Sequence, residues 1–175
     1  MFIHLLAGSL VFLWLGSVFD VEISNTYLLF GAFCGLVTDL ISFMIVGSIK
    51  YNKWAHTHRD NFSHSILFPI ALLILSIYLD SEIRIMMSVA MLTHPLLDLY
   101  GIGWGVKLFY PLSNKTYKVF YKGRIMVIWD QKKVDAEAEK NGDDDWIRNI
   151  YFKFNIIGVI EWLSLAGFLI LLVMN

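Results

Sequence analysis

TYLLFGAFCGLVTDLISFMIVGSI, residues 26–49, is a run of 24 residues in which Asp39 carries the only charge. About 20 mostly apolar residues suffice to cross the hydrocarbon core of a bilayer, where every backbone polar group must be paired, so a run of this length predicts a membrane-spanning helix. Similar runs lie on either side of it, at 2–19, 64–79, 83–100 and 156–174. Pro69 and Pro95 interrupt the third and fourth, which predicts kinks or partial burial against other helices there. The expected fold is an all-α membrane protein, a polytopic bundle of about five (four to five) transmembrane helices with a small polar insertion.

The composition agrees. Of 175 residues, 57% are hydrophobic and 17% charged, and the mean hydropathy is +0.61, far above that of a soluble domain. A net charge of −1 offers no broad basic field, which excludes nucleic acid as a partner and leaves membrane lipids. Cys34 is the single cysteine, so neither an intrachain disulfide nor a cysteine-rich zinc site can form. Residues 1–19 lack a basic leader and a small-residue cleavage site, and they read as a retained first span.

Lysine and arginine set the expected orientation. Lys50, Lys53 and Arg59 follow the second span and the stretch 107–153 follows the fourth, whereas the connectors at 20–25 and 80–82 carry only acids. The positive-inside rule then places the N-terminus and both basic loops of a multi-pass membrane protein in the cytoplasm, with Arg84 the one exception. Three units are expected: a helical membrane domain over 1–110, a cytoplasmic insertion over 111–153 and a C-terminal helix over 154–175. Within the insertion, 117–120 and 124–129 flank Lys122-Gly123 as a hairpin, followed by a charged helix or loop over 131–140 and an acidic turn at 143–145.

With the spans drawn, the ligand chemistry collects at one end. His4 opens the first span; Asp39 lies ten residues, about 15 Å, from the expected end of the second at Ile49. His56, His58 and His64 occupy the polar loop and the start of the third span. His94 and Asp98 share one helix face at the end of the fourth. Embedded carboxylates are costly without a partner, and a divalent cation suits imidazole and carboxylate in the absence of thiols. Pro95 removes the amide that would bond the carbonyl of Met91 and opens the backbone beside His94. Each residue also has a structural reading: His4 as an interfacial anchor, Asp39 paired with Arg59, His94 hydrogen-bonded to Asp98, Ser63 as the N-cap of the third span, and Glu161 with a structural partner.

Ile3-His4-Leu5-Leu6-Ala7-Gly8, Gly35-Leu36-Val37-Thr38-Asp39, His58-Arg59 with Ser63-His64-Ser65, His94-Pro95-Leu96-Leu97-Asp98 and Tyr110-Pro111-Leu112-Ser113 occur in that order over about residues 1–113. As a set they resemble the bacterial membrane-bound, metal-dependent hydrolases that include the LexA-regulated YdjM-like proteins. The resemblance implies a metal site built from His4, Asp39, His58, His64, His94 and Asp98. Ile41 and Thr38 depart from the family pattern, which often has Asp at the first position and Pro at the second.

The resulting expectation is a hydrolase that uses a divalent ion, Zn²⁺ before Mn²⁺ or Fe²⁺, to attack an ester or phosphoester, including that of a lipid, at the cytoplasmic face. Asp39 or His4 completes the shell or serves as general base, and Arg59 clamps a phosphate oxygen. The alternatives are a non-catalytic metal-binding membrane protein, acting as scaffold or stress-response factor and favoured by Ile41, and a cation transporter, disfavoured because the polar residues keep to one side.

Overall fold

In the computed structural model, which describes residues 1–47, 52–101 and 103–175, the apolar runs are helices. They are α1 (Phe2–Phe19), α2 (Asn25–Val46), α3 (Leu67–Tyr78), α4 (Glu82–Asp98) and, after the polar insertion, α7 (Ile156–Met174). Among the described residues, α1, α2 and α7 are long and apolar enough to cross a membrane. Ile49 and Lys50, used above to place the end of the second span and its charge, lie outside the described residues.

The third and fourth helices are shorter than their apolar runs. At 12 residues α3 is about 18 Å long, well under the ~30 Å of a hydrocarbon core, and α4 has 17 residues. Tertiary bonds cut α3 short at its start: the Ile66 amide and the Ser65 hydroxyl both donate to the carbonyl of Leu108, at 3.0 Å each. The helix therefore begins at Leu67, and Ser63 is not its N-cap. Pro69 sits in its first turn, where a missing amide would have no intrahelical partner anyway. Pro95 does not break α4 either; the helix runs through it to Asp98.

Three glycines bring α1 and α2 into backbone contact. A Cβ on Gly8 would lie 2.1 Å from the Gly31 carbonyl oxygen, and one on Gly35 would lie 2.2 Å from that of His4. The four-residue spacing of Gly31 and Gly35 is the small-residue pattern by which membrane helices approach closely. α4 packs against both of these helices and against α3, around a core of Phe12, Leu15, Cys34, Met86, Ala90 and Met91.

The insertion forms as its pattern predicts. β1 (Thr116–Tyr121) pairs antiparallel with β2 (Arg124–Trp129), and Lys122 and Gly123 turn between them at φ 46° and 78°, the left-handed backbone of a two-residue hairpin. α5 (Gln131–Asn141) is capped by Asp130, whose side chain accepts from the Lys133 amide at 2.8 Å, and α6 (Trp146–Tyr151) leads into α7. The hairpin is fastened to the end of α4: the Val119 amide donates to the Leu99 carbonyl at 3.0 Å and the Lys118 ammonium donates to that of Gly101.

Candidate metal centre

The polar loop after α2 folds as two short 3-10 turns, Ala55–Arg59 and Phe62–His64, laid against α2. Asn61 holds them there. Its amide nitrogen donates to the Ser42 hydroxyl and to the His58 carbonyl, at 2.6 Å each, and its side-chain oxygen accepts from the Ser63 amide at 3.0 Å and hydroxyl at 2.7 Å. The Ser42 hydroxyl also donates to the His58 carbonyl. This places His58 and His64 beside Asp39 of α2, opposite His4 of α1 and the His94–Asp98 pair of α4.

All six residues meet. Asp39 Oδ1 lies 3.2 Å from His64 Nε2, 3.3 Å from His58 Nε2 and 3.4 Å from His94 Nε2. Asp98 Oδ2 lies 3.6 Å from the Nε2 atoms of both His64 and His94, and its Oδ1 lies 3.5 Å from His4 Nε2. The rings of His4 and His94 stack at 3.9 Å. His4, His64, His94 and Asp98 are buried, while the Asp39 side chain keeps 20% of its exposure.

The outer nitrogens decide the chemistry of the inner ones. His94 Nδ1 is 2.6 Å from the Gly35 carbonyl, and His58 Nδ1 bonds that of Ala55. A carbonyl only accepts, so each Nδ1 carries the proton, and in the neutral ring Nε2 presents a lone pair. His64 Nδ1 lies 3.2 Å from the Ser63 hydroxyl, whose own proton goes to Asn61, which gives the same tautomer. In the neutral rings, lone pairs on Nε2 thus face carboxylate oxygens, an arrangement suited to a cation between them. Among the described residues, His94 Nε2 and Asp98 Oδ2 are buried and make no hydrogen bond.

The spacing fits a metal. Bonds of about 2.0–2.1 Å in a tetrahedral shell put neighbouring donors about 3.3–3.4 Å apart, close to the distances around Asp39. Two adjoining sets have the necessary proximity, His4 with His94 and Asp98, and Asp39 with His58 and His64, each with donor atoms within 4.8 Å of one another.

Arg59 is turned to Asp98, with Nη2 3.2 Å from Oδ1, rather than to Asp39. His56 stays outside the cluster, its Nδ1 3.3 Å from the Lys53 carbonyl. Glu161 has structural partners, the Met1 amino group at 2.7 Å and the Ile3 amide at 3.2 Å. Lys118 was missed by the motif reading. Its strand register places it opposite Val127 on the inner face of the hairpin, and burial, reinforced by Arg59, pushes its ammonium down to about 8. The period of two along β1 carries that signal.

The family whose model matches the chain is described as YdjM inner membrane protein, and the match covers residues 1–173. The chain belongs to the YdjM family. No curated protein and no solved structure matches it. The match extends past the quoted motifs through the hairpin, α5, α6 and most of α7.

Proposed function

We propose that this YdjM protein is a metal-dependent hydrolase that cleaves an ester or phosphoester at the cytoplasmic end of its helix bundle. The observation that carries the reading is the set of imidazole Nε2 lone pairs turned on two carboxylates, with their outer nitrogens fixed by Gly35, Ala55 and Ser63. His4, Asp39, His58, His64, His94 and Asp98 would hold the ion, Zn²⁺ by their chemistry, with Mn²⁺ or Fe²⁺ as alternatives. When bound, such an ion supplies an acidic water near neutral pH and polarises the ester under attack.

The chain's own groups do the rest. Asp39 keeps access to the cavity, which supports the reading that its carboxylate takes a proton from the attacking water. Asp98 anchors the Arg59 guanidinium, whose place on the cavity wall suits it to a phosphate oxygen. The buried imidazoles keep bulk water from the far side of the cluster. The basic loops that flank the site support a cytoplasmic placement, with the N-terminus on the same side.

A non-catalytic metal site is the second reading, because four imidazoles and two carboxylates are enough to close a shell with no position left for water. Metal content per chain in detergent-purified protein tests both readings, for wild type against His64→Ala and Asp98→Ala. Near-stoichiometric metal removed by either substitution is the expected result; folded wild type that holds none after reloading rules out both. Cobalt substitution then separates them, since only an open site changes its spectrum when an anion is added.

A further inference from the structure

A cavity of about 710 Å³ runs from this cluster to α6 and the start of α7, within the ~300–1,000 Å³ typical of small-molecule sites. Its lining is mixed in chemistry. Asp39, Asp98 and Arg59 contribute charge, as does the Met1–Glu161 ion pair, while Phe2 of α1 and Trp162 of α7, whose rings are 5.4 Å apart, contribute apolar surface. The helices α1, α2 and α7, long and apolar enough to cross a membrane, all take part in its wall.

α6 forms one wall. Trp146, Ile147, Ile150 and Tyr151 fall on one face of this helix and all line the cavity, while Arg148 points away and is exposed. That apolar face meets no packed core; every one of its four residues remains half-buried. Trp146 adds a polar signal: its indole N–H is buried and has no acceptor among the described residues. Buried donors are rarely left so, and the ester oxygen that joins a head to an acyl chain would satisfy it. A small, wholly polar phosphoester would leave the aliphatic and aromatic wall wet, whereas a hydrocarbon chain would cover it.

We propose that the cavity binds a lipid-type amphiphile, with its ester or phosphoester head at Asp39 and Arg59 and one hydrocarbon chain along α6 toward Phe2 and Trp162. This rests on the hydrolase reading for the role of the head; the chain-binding wall stands without it. α6 is then the element that selects for chain over head.

The test uses a lysophosphatidic acid with a photoactivatable diazirine in its acyl chain, added to purified full-length protein in nanodiscs. Cross-links mapped by mass spectrometry are expected at Phe2, Ile147, Ile150 and Tyr151. Ile150→Trp, which fills the cavity, should cut labelling at least tenfold with metal content unchanged, and Ile147→Trp provides a second variant should the first fold poorly. Glycerol 3-phosphate, which has the head without the chain, should compete at least a hundredfold more weakly than the unlabelled lipid. Labelling confined to outward residues such as Leu29 and Val173 would overturn the proposal, as would equal competition by glycerol 3-phosphate. Chain labelling that persists in metal-free His94→Ala would separate this site from the metal reading: it would sustain the amphiphile even if no hydrolysis were found.

Discussion

His94 donates its Nδ1 proton to the carbonyl oxygen of Gly35 at 2.6 Å, and a Cβ on that same glycine would lie 2.2 Å from the carbonyl oxygen of His4. One residue of α2 thus sets both the distance to α1 and the tautomer of a histidine on α4. Gly35→Ala has nowhere to put its methyl group. It is expected to cost about 1–3 kcal/mol by overpacking and to release metal, measured as thermal unfolding in detergent and metal content on one preparation. Unchanged values for both would show that α1 and α2 can separate without disturbing the centre.

Ser63→Ala should leave the fold intact and weaken the metal. The hydroxyl stands 3.2 Å from His64 Nδ1, and loss of an outer partner of a ligating histidine typically lowers affinity about 10–100-fold. A chelator competition titration reads this directly. Equal affinity in the two proteins would mean that His64 is oriented by packing alone.

Arg59→Gln removes the guanidinium from Asp98, whose carboxylate is buried. Breaking a buried pair from one side costs about 3–5 kcal/mol. A bound cation would compensate that carboxylate, so the metal-free variant is expected to lose more thermal stability than the loaded one. The same loss in both forms would argue that the metal does not reach Asp98.

Acid should loosen the insertion before the bundle. The Tyr121 hydroxyl donates to Glu137 at 2.6 Å, Lys133 lies 3.0 Å away, and together they hold its carboxyl down to about 2 from an ordinary 4.5. A depressed carboxylate stabilises the fold fully above its unfolded value, and that contribution is lost as pH falls from about 4.5 toward 2. Hydrogen exchange of the β1–β2 amides across this window should rise in wild type and stay flat in Glu137→Gln. A flat wild-type profile would remove Glu137 from the insertion's stability.

The parts legible in the sequence were those with a local period. Apolar run length located α1, α2 and α7; the four-residue step located His94 with Asp98; the Lys122-Gly123 turn located the hairpin. The start of α3 was not legible, because Ser65 and Ile66 are captured by the Leu108 carbonyl more than 40 positions away. The same holds for Arg59, which the motif leaves free to choose between two carboxylates and which the fold gives to Asp98. Gly35 could be read as a small residue for helix contact, but its carbonyl's service to His94 depends on where α4 docks. The cavity is a product of assembly too, since its walls come from both ends of the chain.

The Gly35 contact also bears on biogenesis. His4 comes from α1, Asp39 from α2 and His94 with Asp98 from α4, so the six-residue cluster closes only when all three helices have docked. Assembly of the bundle and assembly of the cluster are then one event: a chain stalled before α4 docks holds Asp39 with His58 and His64 on one side and His4 on the other, with the carboxylate of Asp98 still to arrive.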